Sequence, residues 1–195
     1  ASFGNENDDV LSERGSRQSL LLSRYFLETQ HRFDTVYTGT LERQKKTAQI
    51  ILSALRERGV PMKEPEVMPG FDEYDTRSII KSQLEDLLRE DPSLSQYLDT
   101  FFSSRKSFQM IFERAMTRWV AGLHHYDGIE TWASFQERVR EGIKAIMKRH
   151  GGKSRVLVVA SGGSISASVQ YAAGLSRSEE RRVGEEGRCR GGASE

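Results

Sequence analysis

The stretch RVLVVASGGSIS, residues 155–166, constrains the fold most. Its first part, RVLVVA, is a continuous apolar run of the kind that is buried on both faces of a parallel sheet. Such a strand needs helices above and below it. The pair Gly162-Gly163 follows at once, and the small-residue segment after it predicts a helix from about Ser164. A second unit repeats the pattern. FDTVY at 33–37 reads as a strand and ends in Thr38-Gly39-Thr40. Beyond it Ala48, Ile51, Leu52 and Leu55 recur at i, i+3, i+4 and i+7, one buried helical stripe stopped by Gly59 and Pro61.

The remaining chain is mainly helical. Ser12 can cap a helix that runs to about Thr29. Residues 66–71 read as a short strand or an extended loop. Ile79, Ile80, Leu84, Leu87 and Leu88 form one stripe, and Phe108, Ile111, Phe112, Ala115 and Met116 another. Asp91-Pro92 has the form of an N-cap followed by proline at the first helical position. Thr131 caps a helix carrying Phe135, Val139, Ile143, Ile146 and Met147, which His150-Gly151-Gly152 ends. Trp119 and Trp132 are expected in the core. Helices alternating with short buried strands predict an α/β fold. In open parallel sheets ligands bind at the carboxyl ends of strands, so both strand–turn–helix units point to one edge.

Bulk properties bound the function. The 195 residues fit one domain. Charged residues make up 29% and the net charge is +1, so no global field draws the chain to nucleic acid or an anionic membrane. Any anion site must be local. No apolar stretch approaches the roughly 20 residues of a membrane span. Cys189 is the single cysteine, which leaves no disulfide framework or cysteine metal site. A cytoplasmic location is the simplest expectation. The sequence names no oligomeric state.

The two ends stand apart. The chain starts at Ala1 without a methionine, as expected if it begins inside a longer protein. Residues 177–195, RSEERRVGEEGRCRGGASE, hold five Arg, five Glu and four Gly and cannot bury a core face. They read as a disordered charged tail or, preferred here, as translated sequencing-adapter read-through. The domain is therefore expected over residues 1–176.

Three groups of residues could carry chemistry. Arg43 lies in the first turn of a helix just past a strand end, where free N–H groups and a partial positive charge favour anions. It is either a bidentate phosphate clamp or a solvated surface arginine. The turn Ser161-Gly162-Gly163-Ser164 is either a backbone cradle for a ligand or an ordinary tight connection. The acidic cluster FDEYD offers Asp72, Glu73 and Asp75 as a general acid, or as helix N-terminal charge and caps. His31, His124, His125 and His150 do not follow buried strands and read as surface or helix-end residues. No cluster suggests a metal.

Together, VYTGTLERQKKTA, the acidic loop, VLVVASGGSIS and the opening ASFGNENDDVLSERGSRQS resemble the histidine phosphatase superfamily, with its phosphoglycerate mutase-like fold. The resemblance runs from about Ala1 to Ser176, and TGTLERQKKTA is its most specific part. It implies a three-layer αβα sandwich with a mainly parallel sheet and a helical insertion. It implies that Arg43 matches the second phosphate-binding arginine and Glu73 the acid that protonates the leaving oxygen. Ser161 falls where most members carry a second catalytic histidine, and Gly162 and Gly163 match that motif's glycines. Asn5 lies in a segment that often lines the site.

The implied activity is hydrolysis of a small phosphorylated substrate through a phosphohistidine, with no metal or cofactor. The Arg-His-Gly strand that supplies the nucleophile would precede Ala1, so this chain is expected to be an inactive fragment of the enzyme. The alternative is a pseudo-phosphatase that binds a phosphorylated ligand or partner without turnover, and Ser161 is its best support. A mutase is a weaker third option. The helical stretch at 76–128 is expected to cover the pocket and set specificity.

Overall fold

A computed structural model of the chain describes residues 9–122 and 126–174. Asn5, His124, His125 and the segment 177–195 lie outside the described residues. In chain order the elements are α1 (Glu13–Glu28), β1 (Thr35–Thr38), α2 (Glu42–Glu57), β2 (Glu66–Val67), α3 (Thr76–Glu90), α4 (Arg105–Ala121), α5 (Trp132–His150), β3 (Val156–Val159) and α6 (Gly162–Ala173). Two 3-10 turns, Pro69–Phe71 and Pro92–Tyr97, complete the path.

The sheet order is β2-β1-β3, and both pairings are parallel. Thr38 is paired with Val67 on one side and Val159 on the other, so β1 extends one residue past the expected end. Side-chain alternation along the strands builds two cores. Val36, Leu157 and Val159 face Ala48, Ile51, Leu52 and Leu55 of α2, with Phe26 and Leu27 of α1 beside them. Tyr37, Val156 and Val158 face the other way, onto Phe135, Val139 and Ile146 of α5 and Ala167 of α6. Each fully buried aliphatic side chain here contributes roughly 1.5–3 kcal/mol of transfer free energy. The result is the expected three-layer αβα sandwich.

α3, the second 3-10 turn and α4 form the helical insertion. It has its own core of Ile80, Leu87, Leu94, Ile111 and Ala115. Asp91 accepts from the Ser93 N–H at 3.2 Å, but the element it starts is a 3-10 turn rather than an α-helix. Residues 66–71 are neither a full strand nor a loop. A two-residue strand pairs with β1, and a proline-led 3-10 turn follows.

One expectation is corrected. The apolar run at 155–160 was expected to be buried on both faces, yet Val156, Leu157 and Val158 are half-buried and only Val159 is fully buried. The cause is position. Among the described residues β3 pairs on one edge only, with β1, so its other edge carries no neighbour to cover it.

The closest helix packing in the first layer uses small residues. The buried positions of α1 are Ser19 and Ser23, and α2 is the element it packs against. Their hydroxyls donate back to the Gly15 and Ser19 carbonyls at 2.9 and 2.8 Å, so the seam holds no unpaired serine hydroxyl. Leu20, Leu21 and Tyr25 of the same helix remain exposed.

Candidate functional site

The carboxyl ends of β1 and β3 are neighbours because the strands are parallel and in register through Thr38 and Val159. The chain must therefore leave both strands on the same side, and the helices that follow begin there. A shallow open cleft of about 300 Å³ lies between the two turns. Its lining comes from Leu11, from Arg43, Gln44 and Thr47 on α2, from Glu73, and from Ala160, Ser161 and Gly162 at the start of α6. Arg43, Glu73, Ser161 and Gly162 are thus brought together, although the first and last are 119 residues apart, a separation no periodicity could link.

Arg43 is held in place by a residue the sequence reading missed. Asp9 accepts from the Glu42 N–H at 2.8 Å, the Arg43 N–H at 3.2 Å and Arg43 Nη1 at 3.3 Å. The helix has no cap of its own, since Leu41 occupies its N-cap position. Asp9 supplies the missing acceptor from a distant segment. This corrects the expectation of free N–H groups at that helix start: two of them are taken by Asp9. What Arg43 presents to the cleft is its side chain. Among the described lining residues it is the cation.

The acidic cluster divides three ways. Asp75 is the cap of α3 and accepts from the Ser78 N–H at 3.1 Å and hydroxyl at 2.6 Å. Burial raises its pKa, but these hydrogen bonds and the nearby Arg77 outweigh it and hold the carboxyl below its ordinary value. Asp72 faces Thr40, accepting from its N–H at 2.5 Å and its hydroxyl at 2.7 Å. It thereby ties the first turn to the acidic loop. Gly39 allows that approach, because a Cβ there would lie 2.4 Å from Asp72 Oδ1 and 2.0 Å from Gln44 Oε1. Glu73 reaches the cleft, and its Oε2 accepts from the Gly163 N–H at 2.9 Å.

Gly163 accordingly contacts Glu73, and its missing side chain matters. A Cβ at this position would be 2.2 Å from Glu73 Oε1 and 2.5 Å from Tyr74 Cε1. The Tyr74 ring cannot retreat, being packed on Trp119 at 4.8 Å and edge-on to Phe135 at 5.3 Å between centroids. Burial, and secondarily the adjacent Glu73 carboxylate, push the Tyr74 phenol up to about 12. An unfolded tyrosine loses its proton near pH 10. The folded chain holds this proton longer, so its stabilising contribution is complete below pH 10 and is lost as pH rises through about 12. Glu73→Gln is expected to lower the Tyr74 value, measured by NMR of the ring carbons during alkaline titration; an unchanged midpoint would show that the carboxylate has no influence.

The loop that carries Asp72 and Glu73 is clamped from behind. Arg138 of α5 makes a bidentate pair with Glu130 at 2.9 Å for both bonds. Its Nη1 donates to the carbonyls of Pro69, Gly70 and Asp72, each at 3.1 Å. One guanidinium thus satisfies a turn that has few partners within itself. Ser164 adds to this, its hydroxyl lying 3.0 and 2.9 Å from the Phe71 and Asp72 carbonyls.

Other expectations meet the structure as follows. Trp119 and Trp132 are buried, at 6% and 8% exposure. His31 bonds Thr29 beside α1, and His150 ends α5 with its Nε2 2.8 Å from the Tyr37 hydroxyl, so neither lines the cleft. The insertion was expected to cover the pocket, but no described residue of α3 or α4 lines it. Those helices divide their apolar faces between their own core and the main core, which Ile79 and Trp119 enter. Among the described residues no group of three metal-binding side chains is present, and no helix is long and apolar enough to cross a membrane.

Gln44, Asp9 and Arg138 were not singled out from sequence. Gln44 had one signal available: a polar residue on the buried stripe side of an amphipathic helix, next to Arg43.

Comparisons with known proteins agree with this geometry. The sequence profile described as the histidine phosphatase superfamily (branch 1) matches residues 1–115 and 102–187. No curated protein sequence matches the chain. Among solved structures, the α-ribazole phosphatase from Shigella flexneri is similar, with TM-score 0.52 and 19% identity, over 87% of this chain and 70% of that one. The mycobacterial glucosyl-3-phosphoglycerate phosphatase is similar with TM-score 0.54 and 17% identity, over 87% of this chain and 72% of that one. At such identities the likeness establishes the fold, and the profile establishes the kinship: the chain belongs to the histidine phosphatase superfamily.

Proposed function

We propose that the cleft binds the phosphoryl group of a small phosphomonoester, and that the function is its hydrolysis through a phosphohistidine. The observation that carries this reading is the convergence of Arg43, Glu73 and Ser161 on one cleft at the carboxyl ends of two parallel strands. Arg43 holds phosphoryl oxygens with a planar pair of donors. Ser161 and the Gly162 turn add neutral donors. Glu73 protonates the leaving oxygen as the P–O bond breaks and the nucleophilic imidazole forms its bond to phosphorus. Water then attacks phosphorus, gives its proton to Glu73, and releases phosphate as the P–N bond breaks. No metal or cofactor takes part. The nucleophilic histidine belongs to the Arg-His-Gly strand that the family resemblance places before Ala1. That both structural neighbours are named phosphatases supports the same class.

A second reading is binding without turnover. It is favoured by one observation: the neutral Ser161 lines the cleft where the family resemblance expects a second, cationic histidine. Both readings are tested by phosphorus NMR with inorganic phosphate, then with p-nitrophenyl phosphate, on the protein restored with the Arg-His-Gly strand ahead of Ala1. Binding with release of nitrophenolate supports the hydrolase. Binding without release supports the second reading, and no binding overturns both.

A further inference from the structure

We propose that Gln44 is a positioning residue that turns Ser161 into a directed, neutral hydrogen-bond donor for a phosphoryl oxygen. The inference rests on the phosphate reading above and deepens it.

Gln44 is 2% exposed although it is polar and lies at the base of an open cleft. Its Nε2 is 3.0 Å from the Phe71 carbonyl and 3.0 Å from Ser161 Oγ. A carbonyl can only accept, so the amide nitrogen must face Phe71, which fixes the orientation of the whole amide. The second N–H then goes to Ser161 Oγ, and the serine oxygen becomes an acceptor. Its own proton is left to be donated elsewhere.

The usual competitor for Ser161 is removed by a neighbouring residue. Ser161 occupies the N-cap position of α6, with extended backbone angles of −97° and 170°. A serine there ordinarily accepts from the second or third amide of its helix. Ser161 makes no such bond. Glu73 takes the Gly163 amide instead, at 2.9 Å. Among the described residues Ser161 Oγ has Gln44 as its one hydrogen-bond partner, and the residue lines the cleft. A phosphoryl oxygen, an acceptor only, is the chemistry that completes it. Gln44 Oε1 is itself buried without a partner among the described residues, a cost that a purely structural glutamine at this position does not explain.

The test is a double-mutant cycle read by the affinity for inorganic phosphate. Ser161→Ala is expected to weaken binding about tenfold, as is usual for one hydrogen bond to a charged group. Gln44→Met keeps the volume and removes both N–H donors, and is expected to weaken binding by a similar factor. Because both act through one proton, the double variant should bind no worse than either single variant. Ser161→Thr, which keeps the hydroxyl, should restore most of the affinity. Additive losses, with Gln44→Met equally harmful in the Ser161→Ala background, would overturn the proposal and leave Gln44 as a support for the Phe71 turn. Wild-type chain that fails to bind phosphate would instead overturn the reading beneath it. Should Gln44→Met not fold, NMR of the Gln44 side-chain amide in the wild-type chain decides. Addition of phosphate must shift the proton that faces Ser161, and an unmoved signal overturns the relay.

Discussion

Replacing Arg43 with alanine is expected to weaken inorganic phosphate binding about a hundredfold and, in the protein restored with its Arg-His-Gly strand, to lower phosphomonoester turnover by at least as much. Two effects act in the same direction. The cleft loses its guanidinium, the cationic side chain among the described lining residues. Asp9 also loses the Nη1 partner at 3.3 Å, so the guanidinium no longer offsets a carboxylate close to the cleft. The backbone amides of Glu42 and Arg43 still hold Asp9 in place, so it cannot swing away. Arg43→Lys should give an intermediate loss, because it keeps the charge but not the fork. The affinity is measured by phosphorus NMR with folding checked by circular dichroism. An Arg43→Ala chain that binds phosphate as tightly as the wild type would remove Arg43 from the site.

Phe135→Ala is expected to destabilise the chain by about 3–5 kcal/mol. Phe135 is fully buried and lies at the centre of an aromatic cluster. Its ring is 5.6 Å from Trp132, 5.9 Å from Trp119 and 5.3 Å from Tyr74, and the Arg138 guanidinium stands 5.1 Å over it. Large rigid rings cannot collapse into the space it leaves. The loss reaches the cleft by two routes. Tyr74 is freed next to Glu73, and Arg138 loses the surface that orients it toward the Pro69–Phe71 turn. Phe135→Leu, which keeps most of the volume, should cost about 1 kcal/mol. Denaturant unfolding measures both. A change below about 1 kcal/mol for the alanine variant would show that the cluster repacks.

The local elements were legible because each rests on short-range physics. Ser12, Asp75 and Thr131 cap their helices through bonds to residues three positions on, which sequence spacing encodes directly. The stripe of Ala48, Ile51, Leu52 and Leu55 is buried as its period demands. Where the reading failed, a distant partner had decided the outcome. The run at 155–160 was apolar enough to be buried on both faces, but burial depends on how many strands flank it. The insertion packed on itself and on the main core rather than over the cleft, a choice between apolar surfaces that a stripe cannot express.

The site divides along the same line. The positions of Arg43 and Ser161–Gly163 at strand ends follow from the strand–turn–helix pattern, and so does their meeting at one edge of the sheet. That Glu73 rather than Asp72 or Asp75 faces the cleft could not be read from FDEYD, since three acids in four residues differ only in direction. Asp9 and Gln44 lie beyond sequence reading for a related reason. Asp9 acts on an amide 34 residues away and Gln44 on a hydroxyl 117 residues away. Periodicity and capping rules reach about one helical turn. The sequence by itself therefore determined the helices, the strands and the edge of the sheet where chemistry belongs. The tertiary structure decided which polar groups complete one another there, because a hydrogen bond is settled by the positions of both partners.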